Sequence, residues 1–322
     1  MNSFRIFNNS RVIVTGHTGF KGSWLTAWLK LLNAKVMGIS LNPPTKPSNF
    51  YASGVNFGIK DVRLDIRNRK KLEKTIIQFR PNFIFHLAAQ SLVGTSYNNP
   101  SLTWETNVLG TLNVLDSLRK LKHSCTAVII TSDKCYFNKE VHYGYKESDK
   151  LGGRDPYSSS KAAVEILVNS WRFSFVGNLP HQTDKLSIVT ARSGNVIGGG
   201  DWAENRIVPD FVKAAKKEQN LEIRNPQSVR PWQHVLDTLN GYILLAEELF
   251  NYEDDFKNKE ALMSCFNFGP NPENHKTVLD LVNICKQFWP CSIKICENNK
   301  KTYESKLLTL DSKSSSPILS FL

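Results

Sequence analysis

The chain has 322 residues, 41% of them hydrophobic and 11% aromatic, enough for one large α/β core or a core with a smaller lobe. Its formal net charge of +12 raises nucleic acid as a partner, because clustered Lys and Arg displace counterions from phosphates. The densest basic run, RNRKKLEK (Arg67 to Lys74), reads instead as the solvated start of a helix, with no aromatic-rich strand or zinc-finger spacing beside it, so no nucleic-acid partner is expected.

The six cysteines form no CxxC pair and have no histidines at zinc-like spacing near them, so reduced thiols and no metal site are expected. No charged-then-apolar leader opens the chain, and no apolar run approaches the roughly 18 residues of a membrane span. A cytoplasmic enzyme without a membrane partner fits this composition.

Short apolar runs alternate with longer helical patterns, which predicts a parallel sheet covered on both faces. RVIVTG is the first strand, GFKGSWLTAWLKLL its helix and AKVMGISL the second strand; DVRLDI, a helix through LEKTIIQF, and NFIFHLAAQ follow. A long helix around TWETNVLGTLNVLDSLRKL leads to TAVIITS, then to a helix in SSKAAVEILVNSWRFSF and a further strand, LSIVTAR. Six strands with helices between them predict a doubly wound, Rossmann-like α/β fold over residues 1–193.

After residue 193 the texture changes. GNVIGGGDW is loop-rich and RNPQSVRPWQH gathers Arg, Trp and Pro, so residues 194–322 are expected to form mainly a smaller substrate lobe over the carboxyl ends of the strands. HVLDTLNGYILLAEELF and CFNFGP, near 233–250 and 263–270, are expected to return to the main sheet, which makes the lobe discontinuous. The serine-rich ending DSKSSSPILSFL is expected to be disordered.

Gly16, Gly19 and Gly22 form GxxGxxG after a strand and at the opening of a helix, a context that suits a tight turn beneath a diphosphate. The second strand ends GISLNPP, with Ser40 or Leu41 where an acid usually holds the ribose hydroxyls, so this motif does not settle NAD against NADP. Asp65 stands where it can contact adenine or cap a helix. YSSSK sets Tyr157 and Lys161 one turn apart on one face, where a cationic Lys favours the phenolate and lowers the Tyr pKa toward neutrality. Such a Tyr takes a proton from an alcohol while hydride leaves the same carbon. Ser132, Asp133 and Lys134 follow an apolar strand in TSDKCYF; Ser132 can bond the reacting oxygen, and the Asp and Lys imply further proton transfers.

With GHTGFKGSWL, NPPT, HLAAQ, TSDKCY, DPYSSSK, RSGNVIGGGDWAENRIVPD and IRNPQSVRPWQHV, the sequence resembles the extended short-chain dehydrogenases/reductases, and within them the CDP-glucose 4,6-dehydratases. The resemblance implies a tightly held NAD that is reduced and reoxidised in one turnover. It implies that Tyr157 deprotonates the C4 hydroxyl, with Ser132 and Lys161 beside it. Asp133 then protonates the departing C6 hydroxyl, and Lys134 occupies the place of the C5 base, or stabilises the enolate if it stays charged. The product would be CDP-4-keto-6-deoxyglucose. It also implies a cofactor wall of Gly16, Thr18, Gly19, Phe20, Gly22, Asp65, Ile66, Leu87, Ala88 and Ala89, with Tyr157 and Lys161. Gln90, Asn195, Arg206, Arg230 and His234 are implied for the CDP-glucose substrate, the arginines as planar forks for phosphate. A homodimer through helices near Thr103 to Leu121 and Tyr157 to Phe173, or a higher homo-oligomer, is implied by the same likeness.

Two departures from the family pattern stand out. Gly94 replaces an arginine in AAQSLVGTSY, and relatives continue past the equivalent of KLLTLDSK, which would leave apolar surface uncovered here. A sugar-nucleotide 4-epimerase is the rival enzyme, although it needs no Asp133 or Lys134. A nucleotide-binding protein without turnover is the rival of another class.

Overall fold

The computed structural model describes residues 4–252, 260, 262–271, 275–296 and 305–315. Strand β1 (Arg11–Thr15) leads through the glycine turn into helix α1 (Phe20–Leu31), and β2 (Lys35–Ser40), a short α2 (Asn49–Ala52) and β3 (Lys60–Arg63) follow. Helix α3 (Arg69–Phe79), β4 (Phe83–His86), α4 (Val93–Asn98), α5 (Pro100–Trp104), α6 (Gly110–Leu118) and β5 (Cys125–Ile130) complete the next stretch. Then come α7 (Pro156–Phe175), β6 (Leu186–Ser193), β7 (Val196–Ile197), α8 (Ile207–Lys216), β8 (Leu221–Ile223), β9 (Val229–Arg230) and β10 (Gln233–His234). The described chain continues through α9 (Val235–Asn251), β11 (Cys265–Phe268), β12 (Lys276–Thr277), α10 (Val278–Phe288) and β13 (Ile293–Ile295).

Seven strands make one parallel sheet in the order β11-β6-β5-β4-β1-β2-β3. Strand order reverses between β1 and β4, and in open α/β sheets ligands bind in the crevice at that reversal. The central strands are apolar on both faces because helices cover both: all residues of β4, β5 and β6 are buried. One face packs α1 and α9 around Val12, Val14, Leu25, Tyr242 and Phe266; the other packs α3, α6 and α7 around Ile13, Leu72, Val114 and Val164. The six predicted strands all form, and CFNFGP returns as the seventh, β11, beside β6.

The basic run does start a helix. Asn68 caps α3 by accepting the Lys71 backbone N–H at 3.2 Å, and Arg67 and Arg69 pair with Asp65 and Asp116 at 2.7 and 2.5 Å. The cap is therefore Asn68, not Asp65.

The long helix predicted around residues 103–121 is not uniform. Between α5 and α6 the turn Glu105–Leu109 is π-helical. Gly110 follows because a Cβ there would lie 2.5 Å from the Ile66 side chain. The wider turn aims Asn107 inward, where its side chain bonds both backbone groups of Gln90, at 2.8 and 3.0 Å, and Ser160 Oγ at 2.8 Å.

Residues beyond β6 build a second layer from α8, α10 and three short strand pairs, β10 with β7, β12 with β9 and β13 with β8. It has its own small core, Phe211, Leu221, Ile223, Val282 and Cys291. Leu308 and Leu310 are buried with Tyr136 and Tyr145, and residues 311–315, expected to be disordered, are tied down as well: Ser315 Oγ donates to the Asn267 carbonyl at 2.6 Å. Ser312 and Ser315 donate to backbone carbonyls and Ser314 to the Glu147 carboxylate, so composition alone misleads; the remainder of the serine-rich ending, 316–322, lies outside the described residues. All six cysteines are free thiols, no group of metal-ligating side chains occurs among the described residues, and no described helix is long and apolar enough to cross a membrane.

Candidate active site

The glycine turn is built for a close approach. Gly16 has φ +76°, and a Cβ there would meet the Ala88 backbone nitrogen at 2.8 Å; at Gly22 a Cβ would sit 2.1 Å from the Gly16 carbonyl oxygen. Gly19 N–H closes the turn on Gly16 O at 3.0 Å and then begins α1 as its cap residue. The free N–H groups at the head of α1 thus face the crevice between β1 and β4, which fits a diphosphate. The chain leaving β4 forms the facing wall: Leu87 N–H donates to Thr15 O at 3.1 Å and Ala88 N–H to Thr15 Oγ1 at 3.2 Å, with Ala89 next. Thr18 and Phe20 belong to the same turn, Thr18 Oγ1 lying 2.8 Å from Ser40 Oγ.

Two expected cofactor contacts are differently employed. The Asp65 carboxylate is gripped by Arg67, which holds it below the usual carboxylate range, and the Ile66 side chain is core, buried under α6.

At the carboxyl ends of β5 and β6 opens a cavity of about 810 Å³, lined among others by Lys21, Ser132, Asp133, Lys134, Tyr157 and Arg206. Tyr157 lies in the first turn of α7, which Pro156 and the Asp155 cap start: Asp155 Oδ1 accepts the Ser158 N–H at 2.9 Å. Ser132 Oγ accepts the Lys134 N–H at 3.2 Å, donates to Asp133 Oδ1 at 2.9 Å and shares a hydrogen bond with Tyr157. Asp133 Oδ2 is buried with no hydrogen-bond partner.

The expected low Tyr157 pKa is overturned. Burial pushes it up to about 12, with the Ser132 hydrogen bond and the Arg206 charge only partly opposing, because desolvation penalises the phenolate more than these groups repay. Lys161 is one turn along but donates to the Ile130 carbonyl at 3.2 Å, and its own pKa falls to about 8 through burial, against the pull of Glu165. It anchors α7 to the end of β5.

Two residues escaped the sequence reading. Lys21, in the first turn of α1, reaches Ser193 Oγ at 3.3 Å and Tyr242 OH at 3.5 Å, and burial with the charges of Lys161 and Arg206 lowers its pKa to about 7. A lysine inside the glycine motif was a signal available in GFKGSW. Asn107 was hidden by the π-turn, which no periodicity announces.

The substrate candidates divide. Asn195, Arg206 and Arg230 line the cavity. Arg206 pairs with Asp201 at 2.9 Å, and buried Arg230 donates to the Ser305 carbonyl at 2.6 Å and the Val229 carbonyl at 2.8 Å, which fixes its fork in the wall and ties down the 305–315 segment. His234 is corrected: it is exposed, caps α9 by accepting the Leu236 N–H at 3.3 Å, and is outside the cavity lining. Gln90 is corrected too, since its amide is consumed by Thr103 Oγ1 at 2.8 Å and the Leu92 N–H at 2.7 Å. Gly94 lines the cavity on α4, and a Cβ there would meet nothing within 4 Å.

A buried phenol and serine at the carboxyl edge of a doubly wound sheet, one crevice away from a glycine turn, is the layout of an extended short-chain dehydrogenase/reductase. Comparison with known proteins narrows this. The family model described as GDP-mannose 4,6 dehydratase matches residues 13–260. A CDP-glucose 4,6-dehydratase of Salmonella typhimurium is 41% identical over 95% of this chain and 84% of its own length. A UDP-glucose 4-epimerase of Mycoplasma genitalium is 24% identical over 93% of this chain and 87% of its own. Among solved structures, an epimerase of Methanothermobacter thermautotrophicus matches with a TM-score of 0.81 at 23% identity, covering 100% of this chain and 89% of that one. A dTDP-glucose 4,6-dehydratase of Streptomyces venezuelae, solved with NAD, matches at 0.78 and 20% identity, covering 97% and 91%. The chain belongs to the GDP-mannose 4,6 dehydratase family and groups within it with the CDP-glucose 4,6-dehydratases.

Proposed function

We propose that the chain converts CDP-glucose to CDP-4-keto-6-deoxyglucose, using NAD held at the glycine turn. The observation that carries the reading is the meeting of Tyr157, Ser132, Asp133 and Lys134 in one cavity. An epimerase needs neither Asp133 nor Lys134. NAD, when bound, supplies a hydride acceptor that later returns the hydride, and in its oxidised form a positive charge.

Tyr157 takes the C4 hydroxyl proton while Ser132 holds the same oxygen. Burial favours the protonated phenol in the protein alone, so a positive charge brought against it would favour its action as a base. The resulting 4-ketone acidifies C5–H, whose proton we assign to Lys134, which also gives one back to C5 to complete the product. Asp133 delivers a proton to the C6 oxygen as water leaves; its partnerless Oδ2 is the atom for this. General acid or base assistance of this kind is worth about two to four decades of rate. Arg206 and Arg230 clamp the diphosphate and Asn195 the sugar-nucleotide link, while residues 1–193 with 233–250 and 263–270 carry the dinucleotide.

The assembly is proposed as a homodimer. Trp104 and Leu109 beside α6, and Ile166 and Phe173 on α7, are large exposed apolar side chains on neighbouring helices. Incubation with CDP-glucose and NAD tests the function: a dehydrated keto sugar supports it, an epimer supports the rival enzyme, and binding without product supports a protein that does not turn over.

A further inference from the structure

We propose that Asp201 is a positioning residue for the substrate diphosphate: its buried carboxylate holds the Arg206 guanidinium ready at the cavity wall. The inference rests on the reading of Arg206 as a diphosphate clamp. Both residues line the cavity, and Arg206 Nη1 donates to Asp201 Oδ2 at 2.9 Å. A fully solvated ion pair would contribute little and would hold neither partner in place. This pair differs, because the Asp201 side chain is only 6% exposed against 37% for Arg206. The carboxylate is fixed in the wall, and the guanidinium is the half that a substrate can reach. A carboxylate so far out of water needs its oxygens engaged. Oδ2 takes the arginine, and Oδ1 accepts the Ala203 N–H at 3.1 Å.

The segment GGGDWAENR delivers that carboxylate. Gly200 has φ +83°, and a Cβ there would run into the Asn49 side chain, so glycine lets the chain turn close against α2. Just before Asp201 the Gly199 carbonyl accepts Trp24 Nε1–H from α1 at 2.8 Å; just after it the Trp202 carbonyl accepts Lys213 Nζ from α8 at 3.0 Å. The backbone is thus held on both sides of Asp201, and the bond to Ala203 closes a local turn. Arg206, the residue that precedes α8, carries a long side chain that loses rotamer freedom when it grips a phosphate. Asp201 removes part of that loss before the substrate arrives. One bond from a five-donor fork leaves N–H groups for phosphate oxygens.

The carboxylate also opposes binding, because it brings a negative charge near a diphosphate. The two effects have opposite signs. If Asp201 serves to hold Arg206, taking away its reach weakens diphosphate binding; if it only balances the charge of the arginine, taking it away strengthens binding.

Calorimetric titration of the full chain with CDP and with cytidine, which lacks the diphosphate, tests this. In Asp201→Ser the hydroxyl can still accept the Ala203 N–H and keep the turn, but it falls short of Arg206. The expected result is a rise of about tenfold in Kd for CDP, with cytidine unchanged. Asp201→Asn keeps an acceptor for both partners and should stay within about threefold of the parent. In an Arg206→Ala background, Asp201→Ser should add nothing further. CDP affinity unchanged or tightened by Asp201→Ser, an equal loss for cytidine, or a full second loss on top of Arg206→Ala overturns the proposal. Failure of the folded parent chain to bind CDP would overturn the sugar-nucleotide reading, and this inference with it.

Discussion

Ser132 Oγ donates to one oxygen of Asp133 at 2.9 Å, and the other oxygen of Asp133 is buried without any donor. An unsatisfied buried acceptor costs about 1–3 kcal/mol, more when charged, so the fold retains it against its own stability. The expected reason is chemical: that oxygen serves the departing C6 hydroxyl. Asp133→Asn should slow dehydration by about two to four decades while leaving the protein at least as stable. Rates of product formation and denaturant midpoints measured together check this; a large loss of stability with turnover intact would contradict it.

Lys134 is expected to act after hydride has left C4. In a single turnover, Lys134→Met should still build NADH absorbance from CDP-glucose and then stall before water is lost. Undiminished dehydration by this variant removes Lys134 from the scheme.

Much of this arrangement could be read from residue order. The strands announced themselves as short apolar runs alternating with helical patterns, and Tyr157 with Lys161 followed from helical spacing. What lay hidden depends on distance in sequence. Leu308 and Leu310 pack on Tyr136 and Tyr145 more than 160 residues away, and just beyond them Ser312 and Ser315, in the ending expected to be disordered, donate to the Gly269 and Asn267 carbonyls. Asn107 points inward only because one turn is π-helical. The pKa of Tyr157 was misjudged because Lys161 Nζ turns to the Ile130 carbonyl while burial acts on the phenol. His234 and Gln90 carried plausible chemistry but are spent on backbone and neighbour contacts.

Two lysines make stability depend on pH. Lys21 and Lys161 have pKa values lowered to about 7 and about 8, against 10.5 when unfolded. Below pH 7 both states carry the protons and the folded state bears the full penalty of two buried cations. From about 7 to about 10.5 the unfolded chain holds more protons, so stability from these groups rises with pH. Lys21→Met should therefore raise Tm by a few degrees near pH 6.5 and by less near pH 9.5. Thermal melts across that range provide the check; a constant difference would count against a lowered Lys21 pKa.

Arg192 and Glu165 form a fully buried pair at 2.8 Å, with Thr190 Oγ1 on the same carboxylate and Tyr136 OH on the arginine. Glu165→Gln leaves the arginine charge uncompensated and should cost about 3–5 kcal/mol of stability. Urea unfolding measures this directly. A cost below about 1 kcal/mol would show that the pair does not hold α7 to β6.

The central claim is that one hydride leaves C4 of the sugar and returns to C6 of the same molecule. CDP-glucose carrying deuterium at C4, converted in ordinary water and examined by NMR or mass spectrometry, reads this transfer. The account expects a 4-keto-6-deoxy product with that deuterium on C6. Recovery of an epimer with the label still at C4, or a dehydrated product whose C6 carries none, would contradict it.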